Sequence, residues 1–408
     1  MADTTVVIVG ASHAAVQAID TLRREGHTGR IVLVGDEPSL PYNRPPLSKK
    51  YFSGELERER LLLRSAHFYE QAQVEVKLGV RATAIDRTDQ RLRLSDGAEL
   101  RYDKLLLCIG SRNRQLDVPG KDLRGIHYLR TMADVDDIRG EITGARRLVV
   151  VGAGYIGLEA AASARHLGLD VTVLEMADRP MNRVVAPEIS AFYQRRHERE
   201  GVHLFCNTSV TSFVGAEDGR VRAVACGERE FPCDFVIVGV GIVPESTLAA
   251  SAGLRCENGI TVDEACQTSD PNIYAAGDCT CHPSVRYGRR LRLESVDNAV
   301  EQAKTAATNI CGKAARHTHV PWFWSDQYDL KLQIAGVPFE SDEILVRGDP
   351  ASATFAVFHL KGERVLAVEA VNAGHEFMGG KLLIASGKPV DKAKLADPAV
   401  SMKAVTLV

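Results

Sequence analysis

No two cysteines in this chain are spaced as CxxC, and residues 40–60 contain no cysteine at all. The nine present, Cys108, Cys206, Cys226, Cys233, Cys256, Cys266, Cys279, Cys281 and Cys311, are odd in number and scattered. Such a set fits neither a disulfide framework nor zinc ligation, so no metal is expected. Cys279 and Cys281 in GDCTC are the one close pair, and small residues of a turn account for them. No apolar run reaches the ~18 residues of a membrane span, and the N-terminus enters a strand at once without a secretory signal. No membrane association and a cytoplasmic location are therefore expected. The net charge of −3 lacks the basic excess of a nucleic-acid binder. A 25% charged and 45% hydrophobic composition is that of an ordinary folded protein. At 408 residues, two or three domains of about 150 residues each are expected.

What is present centres on residues 148–175, LVVVGAGYIGLEAAASARHLGLDVTVLE. Strand, glycine-rich turn, helix and second strand ending in an acid make a full dinucleotide-binding fingerprint. Gly152 permits the tight turn, Gly154 lets backbone N–H groups approach a pyrophosphate, and Gly157 lets helix and strand pack closely. The helix N-terminus faces the phosphates. Glu175, 23 residues after Gly152, can accept from both ribose hydroxyls of an adenosine and would repel a 2′-phosphate, which favours NAD over NADP.

Residues 6–36 repeat this pattern imperfectly. A strand at 6–9 leads into a helix with Ala15, Val16, Ile19 and Leu22 on one side, and a second strand at 31–34 precedes Asp36 and Glu37. Ser12 and Ala15 replace the second and third glycines, and both are small enough for close approach. Two βαβ units imply two nucleotides, such as FAD in the first and NADH in the second. YDKLLLCIG (102–110), FVIVGVG (235–241) and NIYAAGD (272–278) read as further buried strands, the last ending in Gly277 and Asp278, where the aspartate can bond a ribityl hydroxyl. A helix is expected over 295–311, closed by Gly312. From about Pro321 an antiparallel sheet is expected, with a covering helix at 376–386.

The paired βαβ units, YAAGD, LPYNRPPLSKK (40–50), LESVDNAVEQ (293–302) and PWFWSDQ (321–327) resemble the oxygenase-coupled NADH-dependent ferredoxin reductases over essentially the whole chain. This resemblance implies an α/β fold with two Rossmann-like, glutathione-reductase-type nucleotide-binding domains and a C-terminal α+β domain. The FAD domain would comprise 1–112 and 248–318, the NAD domain 113–247, and the C-terminal domain 319–408. Carried over by motif, the FAD contacts would be Gly10, Ser12, Ala14, Ala15, Asp36, Glu37, Arg44, Lys49, Ala82, Gly110, Arg130, Gly277, Asp278, Val296 and Trp324. The NAD contacts would be Gly152, Gly154, Ile156, Gly157, Glu159, Glu175, Arg183 and Gly241, with Arg179 assisting Arg183. Lys49 near flavin N5 and Glu159 beside it would hold flavin and nicotinamide in hydride-transfer geometry. Some relatives carry tryptophan where this chain has Val296. The helix over 295–311 would point its N-terminus at the isoalloxazine.

Disulfide reductases of similar fold place CxxxxC after the first βαβ unit or CxxC in the nucleotide domain, and neither is present here. Electrons would therefore leave for an outside carrier: a two-iron two-sulfur ferredoxin, with rubredoxin as second candidate, serving a P450 or ring-hydroxylating oxygenase. Arg286, Arg289, Arg290 and Arg292 form the expected docking cluster for such an acidic carrier. The rivals are an NADH oxidase or disulfide-reductase-like flavoenzyme, and a flavoprotein with a binding role like apoptosis-inducing factor.

Overall fold

The structure, a computed structural model, describes residues 4–407; residues 1–3 and 408 of the expected terminal domains lie outside the described residues. The chain falls into two compact units. One comprises the stretch ending at Asn43, Arg58–Arg112 and Val243–His319; the other comprises Arg44–Glu57, Asn113–Ile242 and the stretch from Val320 onward.

The first unit is built on five parallel strands in the order Ile273–Ala275, Lys104–Leu107, Val6–Val9, Ile31–Gly35, Val74–Leu78. Uninterrupted runs such as VVIV and IVLVG are what a sheet covered on both faces requires. Helices His13–Arg24 and Val296–Ile310 cover one face, packed closely through Ala14, Ala15, Ala18, Ala303, Ala306 and Ala307. The opposite face meets the antiparallel strands Ala82–Asp86, Arg91–Leu94 and Glu99–Arg101 through Ile85, Leu92, Leu94 and Leu100. The expected strand over 102–110 is shorter than the motif, spanning Lys104–Leu107, and Gly110 turns the chain beyond it at φ +65°.

The second unit repeats the parallel design, in the order His203–Phe205, Asp170–Leu174, Arg147–Val151, Phe235–Val238, Ile126–Tyr128. Its C-terminal part is an antiparallel sheet ordered Trp322–Gln327, Leu330–Gly336, Arg364–Val371, Thr354–Lys361, Glu343–Asp349. Helix Gly374–Ser386 covers it, starting two residues before the expected Glu376. The edge strand Glu343–Asp349 is not anticipated, since little of it is buried and it shows no alternation. Its one buried side chain, Arg347, donates to the carbonyls of Leu395, Asp397 and Val400 and so ties down the C-terminal segment.

Glu369, 1% exposed in the middle of this sheet, joins it to the nucleotide-binding part. Its carboxylate accepts from the Ala186 N–H at 2.9 Å, the entry to helix Pro187–Arg199, and lies 2.8 Å from His359 Nε2. Ala186 has no side chain that could cap the helix, so the carboxylate does it from across the fold. Glu369→Ala leaves an amide and an imidazole buried without a partner and is expected to cost about 3 kcal/mol. Thermal unfolding of the holoprotein checks this; a melting temperature equal to the parent's would show that the carboxylate is not the cap.

Candidate active site

In the second unit, strand Arg147–Val151 ends in the glycine-rich turn and helix Tyr155–His166 follows. Gly152 sits at φ +100°, and a Cβ there would stand 2.5 Å from the carbonyl oxygen of Gly239. A Cβ on Gly157 would lie 2.1 Å from the carbonyl oxygen of Gly152, so only glycine lets helix and strand meet. At Gly154 an added Cβ would meet nothing, and this residue caps the helix without a side chain. No acid stands in the first helical turn, so its N–H groups suit a diphosphate. Glu175 follows strand Asp170–Leu174, and its two carboxylate oxygens accept from the N–H groups of Ala153 at 2.7 Å and Ala177 at 2.8 Å. It thus braces the glycine-rich turn, and each oxygen keeps a lone pair for a hydroxyl.

Around this cradle, Ile156 is 45% exposed and Met176 75% exposed, apolar surface at a nucleotide site. An Arg183 guanidinium nitrogen lies 3.4 Å from where a Cβ on Gly241 would be, so these two expected NAD residues are neighbours. Arg179 is committed elsewhere: it donates to the carbonyls of Val185 and Asn182 and braces the loop that carries Arg183.

Glu159 lies one turn into the same helix and is 3% exposed, not a surface residue. Its Oε2 is 2.7 Å from Lys49 Nζ and accepts from Ser48 Oγ at 2.5 Å, while Oε1 accepts from Ser325 Oγ at 2.6 Å. The turn Pro45–Ser48 that presents Ser48 and Lys49 is pinned to the helix by Ser163 Oγ donating to the Ser48 carbonyl at 2.8 Å. Strand Trp322–Gln327 completes the cluster by a match of repeats. Tyr155 and Glu159 are ~6 Å apart along the helix, and Phe323 and Ser325 are ~6.7 Å apart along the strand. Accordingly Tyr155 packs on Phe323 with ring centroids 4.5 Å apart, and Glu159 meets Ser325. Ser48 and Ser325 lie inside the motifs at 40–50 and 321–327, but nothing in those motifs assigns either hydroxyl to Glu159. The one hint is the alternation of Phe323, Ser325 and Gln327 on one face of a strand.

The first unit forms a second cradle. Gly10 at φ +105° turns under Cys108, whose carbonyl oxygen would lie 2.2 Å from an added Cβ. Ser12 caps helix His13–Arg24 without using its hydroxyl on the helix, and again no acid stands in the first turn. Ala14 and Ala15 are buried in that helix. The sheet register pairs Val9 with Val34 and Val151 with Leu174, so Gly35 occupies the place of Glu175. A side chain at 35 would collide with Ala11 Cβ, and the acids follow one and two residues later. Asp36 pairs with Arg81 beside Ala82, and Glu37 accepts from the Tyr42 hydroxyl at 2.6 Å. Gly277, at φ +89°, faces Ala299 and Ala14, and its N–H donates to Gln302 Oε1 at 2.7 Å. Asp278 accepts from Ser111 Oγ at 3.0 Å, beside Gly110. Val296 opens the helix capped by Ser295, whose Oγ accepts from the Asn298 N–H, and Asp297 stands in the first turn.

The remaining expected FAD contacts, Arg44, Lys49, Arg130 and Trp324, lie in the second unit. Arg44 donates to the Arg130 carbonyl at 2.8 Å, and Trp324 lies 5.3 Å from Trp322 between ring centroids. Of the expected docking arginines, Arg290 donates to the carbonyls of Val262 and Cys281, and Arg292 bonds Asn258 and Glu294. All nine cysteines are free. Burial pushes the Cys233 and Cys279 thiols up to about 12, far from the thiolate range that disulfide relay demands. Among the described residues no helix is long and apolar enough to cross a membrane, and no cluster of metal-ligating side chains occurs.

Comparison with known proteins places this geometry. Residues 4–303 match the family described as pyridine nucleotide-disulphide oxidoreductase, and residues 322–406 match the reductase C-terminal domain. Rhodocoxin reductase of Rhodococcus erythropolis is 42% identical, over 98% of this chain and 93% of that protein. The ferredoxin–NAD(+) reductase component of the anthranilate 1,2-dioxygenase system of Burkholderia cepacia is 40% identical, over 97% and 98%. The putidaredoxin reductase in the crystal structure of its covalent complex with putidaredoxin superposes with a TM-score of 0.96 at 43% identity, covering 99% of this chain and 98% of that one. The chain belongs to the pyridine nucleotide-disulphide oxidoreductase family, in its group of FAD- and NAD(H)-dependent ferredoxin reductases of oxygenase systems.

Proposed function

We propose that this chain takes electrons from NADH and delivers them singly to a two-iron two-sulfur ferredoxin that serves a P450 or a ring-hydroxylating oxygenase. NADH would lie on the cradle of Gly152, Gly154, Gly157 and Glu175, and FAD on that of Gly10, Ser12, Gly277 and Asp278. In this reading the chain divides into an FAD domain (1–112 and 248–318), an NAD domain (113–247) and a C-terminal domain (319–408). The pairing of half-buried Lys49 with buried Glu159 carries the assignment. A carboxylate 2% exposed and ringed only by donors has little structural reason to stand on the helix that receives a nucleotide. Bound FAD accepts a hydride and releases its electrons one at a time, chemistry that the protein residues do not supply. The residues align the reactants: Lys49, fixed by Glu159, holds the reacting edges together, and Arg183 and Glu175 hold the distal nucleotide. A cytoplasmic location, where NADH is at hand, goes with this reading.

The test is anaerobic stopped-flow reduction of the flavoprotein by NADH and by NADPH, followed by addition of two-iron ferredoxins and a rubredoxin. Fast reduction by NADH alone, then reoxidation by ferredoxin, is expected; oxygen or disulfide turnover without a carrier would overturn it. For docking we assign the basic cluster of Arg286, Arg289, Arg290 and Arg292, whose charge complements an acidic carrier. Arg286→Glu with Arg289→Glu should lower the rate to ferredoxin about tenfold at low salt and leave NADH reduction unchanged. A second face rests on Lys381, whose ammonium lies 5.6 Å above the Trp322 ring, beside Met378 and Leu382, 56% and 67% exposed. Loss of ferredoxin rate in Lys381→Glu but not in the arginine variant would assign docking to that face.

A further inference from the structure

Behind Glu159 a line of buried polar side chains runs away from Lys49. Gln327 Nε2 lies 3.1 Å from Ser325 Oγ, His197 Nε2 lies 2.8 Å from Gln327 Oε1, and the Tyr328 hydroxyl lies 3.0 Å from His197 Nδ1. Ser325, Gln327 and His197 are at most 1% exposed. The hydrogen bonds can be oriented without ambiguity from the chemistry of each group. An amide oxygen only accepts, so His197 Nε2 carries the proton that faces it. Nδ1 is then an acceptor, and the Tyr328 hydroxyl donates to it. The Gln327 amide nitrogen donates to Ser325 Oγ, which leaves the serine hydrogen for Glu159 Oε1 at 2.6 Å. Every donor points towards the carboxylate.

We infer that Ser325, oriented by Gln327, His197 and Tyr328, is a positioning residue that fixes Glu159, and through it the Lys49 ammonium, for hydride transfer. This rests on the reading that Lys49 and Glu159 stand where the hydride moves. Three observations favour positioning over a merely structural tie. Glu159 has donors on both oxygens and no acceptor, the complement of a carboxylate whose direction must not drift. A one-way chain polarises each member in turn and strengthens the bond at its end. Burial pushes the His197 imidazole down to about 4, so it is neutral near pH 7 and its Nδ1 can accept. The chain is not a proton wire, because the Gln327 amide cannot take a proton on one side and release one on the other without becoming an imidic acid. At the outer end, the Arg196 guanidinium sits 5.0 Å from the Tyr328 ring centroid and pairs with Asp329 at 2.6 Å.

The test uses the holoprotein and three readouts: the limiting rate of flavin reduction by NADH, the NADH dissociation constant, and side-chain nitrogen NMR of His197. Ser325→Ala is expected to lower the limiting rate about tenfold with the dissociation constant within about twofold. Ser325→Thr, which keeps the hydroxyl, should restore most of the rate. Gln327→Met should lower the rate in the same direction and change the His197 nitrogen shifts from those of the Nε2–H tautomer. A parent-like rate in Ser325→Ala, or an Nδ1–H tautomer in the parent, would overturn the inference. If Ser325→Ala is parent-like while Lys49→Met is slow, only this inference falls. If Lys49→Met is parent-like too, the reading of the site falls with it.

Discussion

Glu159→Gln is expected to slow flavin reduction at saturating NADH by roughly 100-fold, with NADH affinity changed only about twofold. The substitution keeps size and shape and changes one thing, the pattern of donors and acceptors. Glu159 Oε2 now takes both the Lys49 ammonium at 2.7 Å and the Ser48 hydroxyl at 2.5 Å. An amide offers one oxygen for the three donors around the carboxylate, so an NH2 group must face either Ser325 or the Lys49–Ser48 side. On the Lys49 side, donor would meet donor and the ammonium must swing away. Displacement by about 1 Å is enough for a loss of this order when alignment supplies the rate. Lys49→Met should slow the reaction comparably and also lower stability by about 3 kcal/mol, because it leaves Glu159 buried without its charge partner. The double variant should be little slower than either single one, since both remove the same contact. Two single variants with parent-like limiting rates would remove the pair from the site.

The two nucleotide cradles are legible because their demands are local and steric. The backbone at Gly10 and Gly152 leaves no room for a Cβ, and a one-dimensional pattern records that directly. Helix Val296–Ile310 lies within the expected 295–311 for a similar reason, with an apolar stripe and a serine cap in sequence. Residues paired over long separations are another matter. Ser48, Ser325 with Gln327, and His197 come from three separate stretches of chain to the helix of Glu159, and a lone serine or histidine in sequence looks like any other. The Lys49–Glu159 pair itself was expected from resemblance to a family, not from spacing. Asp36 and Glu37 show the limit of reading one copy by the other. The first cradle seats Gly35 where the second has Glu175, so the acids are displaced along the loop. Charge clusters are read only in part: the guanidinium groups of Arg290 and Arg292 also bond carbonyls, an amide oxygen and a carboxylate of the fold, partners that a run of arginines does not reveal.

The fold is also expected to lose stability steeply between pH 6.5 and about 4.5, earlier than carboxylate protonation alone would cause. Burial holds the imidazoles of His197 and His317 down to about 4 and that of His282 to about 3. Nearby guanidinium groups add to this: Arg196 beside His197 and Arg290 beside His282. The acids Glu200, Glu301 and Asp297 oppose it without reversing it. Above pH 6.5 these groups are neutral in both states and favour neither. As pH falls through 6.5 the unfolded chain binds protons that the folded chain does not, so stability is lost until the folded values are reached. Over two pH units each histidine can contribute up to about 2.7 kcal/mol. Three together approach the ~5–15 kcal/mol by which a typical fold is stable at all. His282 and His317 lie in the first unit, with ring centroids 4.9 Å apart, and His197 lies in the second, so both are affected. Melting temperatures across pH 7.5 to 4.5 measure the effect, with His282→Gln as the control that should flatten the curve by about one third of its slope. A flat profile down to pH 5 in the parent protein would mean that these imidazoles are not held neutral by burial.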